Sequence, residues 1–157
     1  MDSGIVVLPG EGTALFSPSG LAQHLKAGAS DTGGAYSLWE SVIRPGEGPR
    51  LHIHPDHEEA FYLLAGELIL RVRDQELAIS PGTFALVPRG TAHAFTTPAA
   101  TPARMLTIMS PPMDRFRAAL TALMDELPPG SPRTISALDP AAVRAVETQF
   151  GVRDRLA

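Results

Sequence analysis

Short runs rich in apolar and β-branched residues recur along the first two thirds of the chain, and each ends at glycine, proline or aspartate. Such runs predict extended strands, in which every second side chain shares a face. Ile5 to Leu8 and Thr13 to Phe16, bounded by Pro9, Gly10, Gly12 and Pro18, predict two brief edge strands. A Gly-, Ser- and Asp-rich stretch from Gly28 to Gly34 follows, and Tyr36 to Ile43 then predicts a strand that stops at Pro45-Gly46. Further strands are predicted at Leu51 to His54, Ala60 to Leu64, Glu67 to Val72, Gln75 to Ile79, Thr83 to Val87, His93 to Thr97 and Arg104 to Met109. Strands this short, with turn residues between them, predict an all-β sandwich or barrel.

The period changes after Pro112. Phe116, Leu120, Leu123, Met124 and Leu127 make one apolar stripe of a helix that Pro128-Pro129 must end. A second short helix is expected from Pro140 to Phe150, with Asp139 as N-cap, Pro140 in the first turn and Gly151 just past the end. Its apolar face is Val143, Val146 and Phe150. The chain thus divides into amino-terminal strands and loop (1–35), a β-barrel core (36–110) and a helical appendage (111–157) that packs on the barrel or on a second subunit.

Composition narrows the function classes. The 157 residues are 44% hydrophobic and 19% charged, enough apolar content for one folded domain. Fourteen glycines and fifteen prolines fit a turn-rich β fold. The net charge is −4 and the basic residues are dispersed, so a nucleic-acid partner is not expected. No apolar run is long enough to span a bilayer and none follows a basic amino-terminal stretch, so the expectation is a cytoplasmic protein without membrane association. Cysteine is absent, which leaves nitrogen and oxygen as the ligands of any metal site.

Four of the five histidines lie between His52 and His93. In a strand, His52 and His54 point to the same face and can offer two ring nitrogens to one ion. Glu59 lies at an odd offset from His54, but the turn signal Pro55-Asp56 lets the next strand start with Glu59 facing inward. The turn Pro88-Arg89-Gly90 delivers His93 from a separate strand whose inward set is His93, Phe95 and Thr97. Phe61, Leu63 and Phe95 share the inward parity, as lining of an apolar substrate pocket or as plain core. His24 reads as a surface or satisfied core residue, and His57 and Glu58 as solvent-exposed charges in the turn.

With these residues the chain resembles the cupin superfamily. Gly46, His52, His54, Glu59 and Gly66 fit its first motif, and Gly82, Pro88, Gly90 and His93 fit its second, with Thr97 where asparagine is expected. Glu58 would serve under a shorter spacer, but only Glu59 gives the six-residue interval to Gly66. The resemblance implies a double-stranded β-helix, or jelly-roll barrel, and His52, His54, Glu59 and His93 as ligands of one divalent transition metal: Fe, Mn, Ni, Co, Cu or Zn. Ordinary imidazoles would surrender such an ion as the pH falls through roughly 6.

The likeness is greatest to small single-domain cupins grouped with quercetinase-like dioxygenases. It implies an oxidoreductase acting on a small, partly aromatic or enolisable molecule in a pocket of Phe61, Leu63, Phe95 and Thr97, with Glu59 also taking a substrate proton. A non-oxidative metal enzyme (isomerase, lyase, decarboxylase or cyclase) and a non-catalytic small-molecule-binding module are the alternatives. A homodimer is expected, because the amino-terminal strands have no obvious partner within the barrel.

Overall fold

Alternation decides which way each strand faces. In β3 (Ser37–Ile43), Ser37, Trp39, Ser41 and Ile43 are buried while the residues between them are more exposed. β5 (Glu58–Ala65) buries Glu59, Phe61 and Leu63, and β10 (Ala103–Ser110) buries Ala103, Met105, Thr107 and Met109. In this computed structural model, which describes residues 4–98, 100–153 and 155–156, those faces form the inner wall of a two-sheet barrel.

One antiparallel sheet has the order β1 (Thr13–Phe16), β2 (Ala22–Ala27), β3, β10, β5, β8 (Phe84–Val87). The other has the order β11 (Arg155–Leu156), β4 (His52–Ile53), β9 (His93–Thr96), β6 (Leu68–Val72), β7 (Gln75–Ile79). Between them lies a core of Ile43, Phe61, Leu63, Leu68, Leu70, Phe95 and Met105 with their neighbours.

A second core lies beside the first. The helix α1 (Asp114–Asp125) turns Phe116, Leu120 and Met124 onto Leu15, Trp39 and Met109, and α2 (Pro140–Phe150) adds Val143. Asp139 caps α2 by accepting from the Ala141 amide at 3.1 Å, and Gly151 ends it at φ 66°, a left-handed value that glycine adopts freely. The helices therefore pack on the barrel's own sheet.

The strands depart from the sequence reading in four places. Ile5 to Leu8 forms no strand: the segment is largely exposed, and its contacts run through Glu11, whose carboxylate accepts from the Leu8 amide at 3.0 Å. β2 was hidden by its polar composition, since its buried Gln23 is satisfied by donating to the Ser41 hydroxyl at 2.8 Å. β2 pairs with both β1 and β3, so the amino-terminal strand does have a partner within the barrel. β11 adds a further strand beside β4.

The face of α1 also buries more than the apolar stripe. Thr121 accepts from the Phe16 amide at 2.9 Å, and Arg117 donates to Gln23 and to the Met109 sulfur while stacking over Trp39 at 4.8 Å. Leu127, expected on the stripe, lies past the helix end but still packs against the same cluster.

Leu120 is fully buried between α1 and the sheet. Leu120→Ala should cost about 2–5 kcal/mol of stability. Urea unfolding followed both by Trp39 fluorescence and by far-ultraviolet circular dichroism should give one shared, lowered midpoint. A midpoint unchanged in either signal would mean that the helices do not share the barrel's core.

Candidate metal centre

The two strands that carry His52 and His93 are short, and pairing holds them in place. His52 and His93 are direct cross-strand partners. His54 lies just past β4, where its carbonyl accepts from the Gly90 amide at 2.9 Å. Gly90 sits at φ 72°, a conformation that side-chain-bearing residues rarely take, so glycine lets this turn reach back to His54. Glu59 comes from the opposite sheet, in register with Val87 and Met109. Three imidazoles from one sheet thus face one carboxylate from the other.

The ring nitrogens converge. His52 Nε2 and His54 Nε2 are 3.1 Å apart, and Glu59 Oε2 lies 3.3 Å from His54 Nε2 and 2.9 Å from His93 Nε2. All four ligand-type atoms lie within 4.8 Å of one another. His54, Glu59 and His93 are buried and His52 is half-buried.

The backbone fixes two tautomers. His52 Nδ1 is 2.8 Å from the Arg50 carbonyl, and His93 Nδ1 is 2.9 Å from the Thr91 carbonyl. A carbonyl only accepts, so each Nδ1 carries a proton and donates it, and each ring turns its Nε2 toward the cluster.

Ring nitrogens and a carboxylate oxygen this close are stabilised by sharing a cation, whether a proton or a metal ion. An ion bound at about 2.1 Å places neighbouring ligand atoms about 3.0 Å apart in an octahedron and about 3.4 Å apart in a tetrahedron. The three measured separations fall in that range, so the residues present fit a single metal ion.

Electrostatics point the same way. Burial, with the neighbouring His93 and His54, lowers the His52 pKa from its ordinary 6.5 to about 4. The neutral, ligating form is therefore favoured at a lower pH than for an ordinary imidazole. Burial pushes the Glu59 carboxyl up, but hydrogen bonds and charge from His54 and His93 outweigh it and hold the group well below the usual carboxylate range.

The other predicted site residues divide. Phe61, Leu63 and Phe95 are buried in the inter-sheet core, with the Phe61 and Phe95 rings edge to face at 5.6 Å. Thr97 is buried just past β9, and its hydroxyl has no hydrogen-bond partner among the described residues. Glu58 is exposed, whereas Glu59 turns inward.

His57 is a correction to the expected exposed charge. It is buried, its ring 6.5 Å from that of His54. It lines a cavity of about 410 Å³ walled by α1, the end of α2 and the 28–34 loop. Local sequence marked it as a turn residue, and only the packing of the appendage covers it.

The cupin domain family matches residues 39–109. The chain is 31% identical over 90 residues to quercetin 2,3-dioxygenase of Bacillus subtilis, covering 57% of this chain and 26% of that protein. It is 32% identical over 69 residues to the tetracenomycin polyketide synthase protein TcmJ of Streptomyces glaucescens, covering 44% of this chain and 46% of that protein. In both cases the chain matches less than half of the relative's length. Among solved structures, KdgF from a Halomonas species superposes with a TM-score of 0.62 at 17% identity, over 72% of this chain and 98% of that one. No helix among the described residues is long and apolar enough to cross a membrane. With two facing antiparallel sheets and both histidine-bearing segments inside the matched region, the chain has the cupin fold, and its residues 39–109 match the cupin domain family.

Proposed function

We propose that this protein is a metal-dependent enzyme of the dioxygenase kind, acting on a small aromatic or enolisable molecule. The observation that carries the reading is the convergence of His52, His54 and His93 Nε2 with Glu59 Oε2 on one point. The similarity to quercetin 2,3-dioxygenase supports the choice of reaction. These four residues would hold one divalent ion of Fe, Mn, Co, Ni, Cu or Zn, which supplies Lewis acidity and, if redox-active, electron transfer.

The chain's own groups set what substrate is suited. Glu59 is a carboxylate, a weak base by nature. It therefore suits a hydroxyl that is already acidic, such as a phenol or an enol, rather than an alkyl alcohol. The Arg50 and Thr91 carbonyls hold the His52 and His93 rings in a fixed orientation with Nε2 toward the cluster. A second reading, a metal-dependent step on a polyketide without dioxygen, is supported by the similarity to TcmJ.

Elemental analysis and an oxygen electrode test both levels. The wild type should hold about one metal per chain, and His54→Ala should lose most of it, since removing one ligand typically costs at least the 10–100-fold seen for outer-shell partners. His57→Ala should keep its metal. Equal metal in wild type and His54→Ala sinks the site assignment. Turnover of a phenolic or enolic substrate without oxygen uptake replaces the dioxygenase reading with the second one.

The titration of His52 gives a separate check. Between pH 6.5 and about 4 the unfolded chain takes up a proton at His52 that the folded, metal-free chain does not. Stability of the metal-free protein should therefore fall as the pH is lowered through that window, and His52→Gln should flatten the slope. Urea midpoints at a series of pH values measure it, and identical slopes would show that His52 is not held neutral by the cluster.

We also propose that two copies pair through the β8 edge. Phe84 and Leu86 there are 61% and 53% exposed, and Phe84 is in register with the exposed Tyr62. An unpaired edge with an apolar outer face favours self-association. Light scattering should give about twice 16.6 kDa, and Phe84→Lys should return the mass to that of one chain. A wild-type mass of one chain would refute the pairing.

A further inference from the structure

We propose that the segment following α2 clasps the strand that carries His52, with Arg153 as a positioning residue for the metal centre, an inference that rests on the four-ligand site above. β4 is two residues long, and among the described residues its register with β9 is the single pair of His52 and His93. On its other side β11 pairs with both residues of β4, Leu156 with His52 and Arg155 with Ile53. Without β11, the strand that carries His52 would lie at the sheet edge, held by one cross-strand pair.

A second tether acts on the turn between the ligands. Asp56 stands between His54 and Glu59, and the Arg153 guanidinium grips its carboxylate through Nε and a terminal nitrogen, with Nε 2.9 Å from Oδ2. A two-point contact of this kind fixes direction as well as distance. The turn is thereby held from two sides, by Arg153 on one and by the bond from the Gly90 amide to the His54 carbonyl on the other.

The clasp is anchored where it begins. Gly151 ends α2, the Val152 amide donates to the Glu147 carbonyl at 3.0 Å, and the Val152 side chain is buried in the second core. Arg153 is the next residue, so its reach to Asp56 starts from a fixed point. The docked helices therefore bear on the metal centre through this segment. His52 is the ligand that most needs such support, being half-buried where His54, Glu59 and His93 are buried.

Charge and clasp predict opposite signs for Arg153. Removing a cation near a divalent ion lessens repulsion and should slow metal release, whereas removing a tether should speed it. The test is the release of zinc from the loaded full chain into an excess of a chromophoric chelator. Arg153→Ala and Asp56→Ala should each release zinc about threefold faster, the modest effect of an exposed ion pair, and the double variant should be no faster than either alone. Leu156→Pro, which takes an amide from β11, should speed release about tenfold, the lower end for groups that orient a metal ligand. Arg144→Ala, which removes the same charge from an exposed position on α2, should not speed it.

Hydrogen exchange reads the clasp without the metal. In the metal-free chain the peptide 51–57 should exchange faster in Arg153→Ala and Leu156→Pro, while β10 exchanges as in the wild type. Release from Arg153→Ala at or below the wild-type rate, or from Leu156→Pro at the wild-type rate, overturns the proposal and leaves the four-ligand site standing. A wild type that retains none of zinc, cobalt or nickel removes the site itself, and this role for the segment with it.

Discussion

Three imidazole nitrogens and one carboxylate oxygen meet inside a barrel whose remaining inward positions are mostly apolar, an arrangement that suits a single shared cation. Much of the surrounding structure serves this meeting. The pairing of His52 with His93 sets two of the groups side by side. The bond from the Gly90 amide to the His54 carbonyl ties the two histidine-bearing segments together, and β5 brings the carboxylate across from the other sheet. Because the Nδ1 protons of His52 and His93 go to backbone carbonyls, the Nε2 atoms that face inward are fixed by the fold before any ligand arrives.

The barrel and its appendage are one packing problem. The inner face of the larger sheet is longer than the smaller sheet can cover, and α1 and α2 cover the remainder with Phe116, Leu120, Met124 and Val143. The polar residues caught in that second core are satisfied in pairs, Thr121 with the Phe16 amide and Arg117 with Gln23 and the Trp39 face. A buried polar group without a partner costs roughly 1–3 kcal/mol, so these contacts fix where the helix can sit. The same docking buries His57 and leaves the cavity beside it. A helical segment that looks dispensable in a β protein thereby shapes the surroundings of the metal centre.

Periodicity and turn chemistry are local, and what depends on them was legible in the chain. Most strands and both helices were readable from their patterns, down to the Asp139 cap and the Gly151 stop. The spacing of His52, His54, Glu59 and His93 announced a metal-type cluster, because parity in a strand decides which face a side chain takes. The choice of Glu59 over Glu58 followed from the interval to Gly66, and burial agrees with it. Strand pairing and the burial of polar groups depend on partners far away in sequence, and these the chain alone did not disclose. β2 reads as polar because Gln23 finds its partner on β3. Ile5 to Leu8 reads as a strand but has no neighbour to pair with. His57 reads as a surface charge, yet long-range contacts enclose it. Sequence thus determined the facing of each residue, whereas tertiary structure decided what stood opposite, since only the folded chain brings distant segments within contact distance.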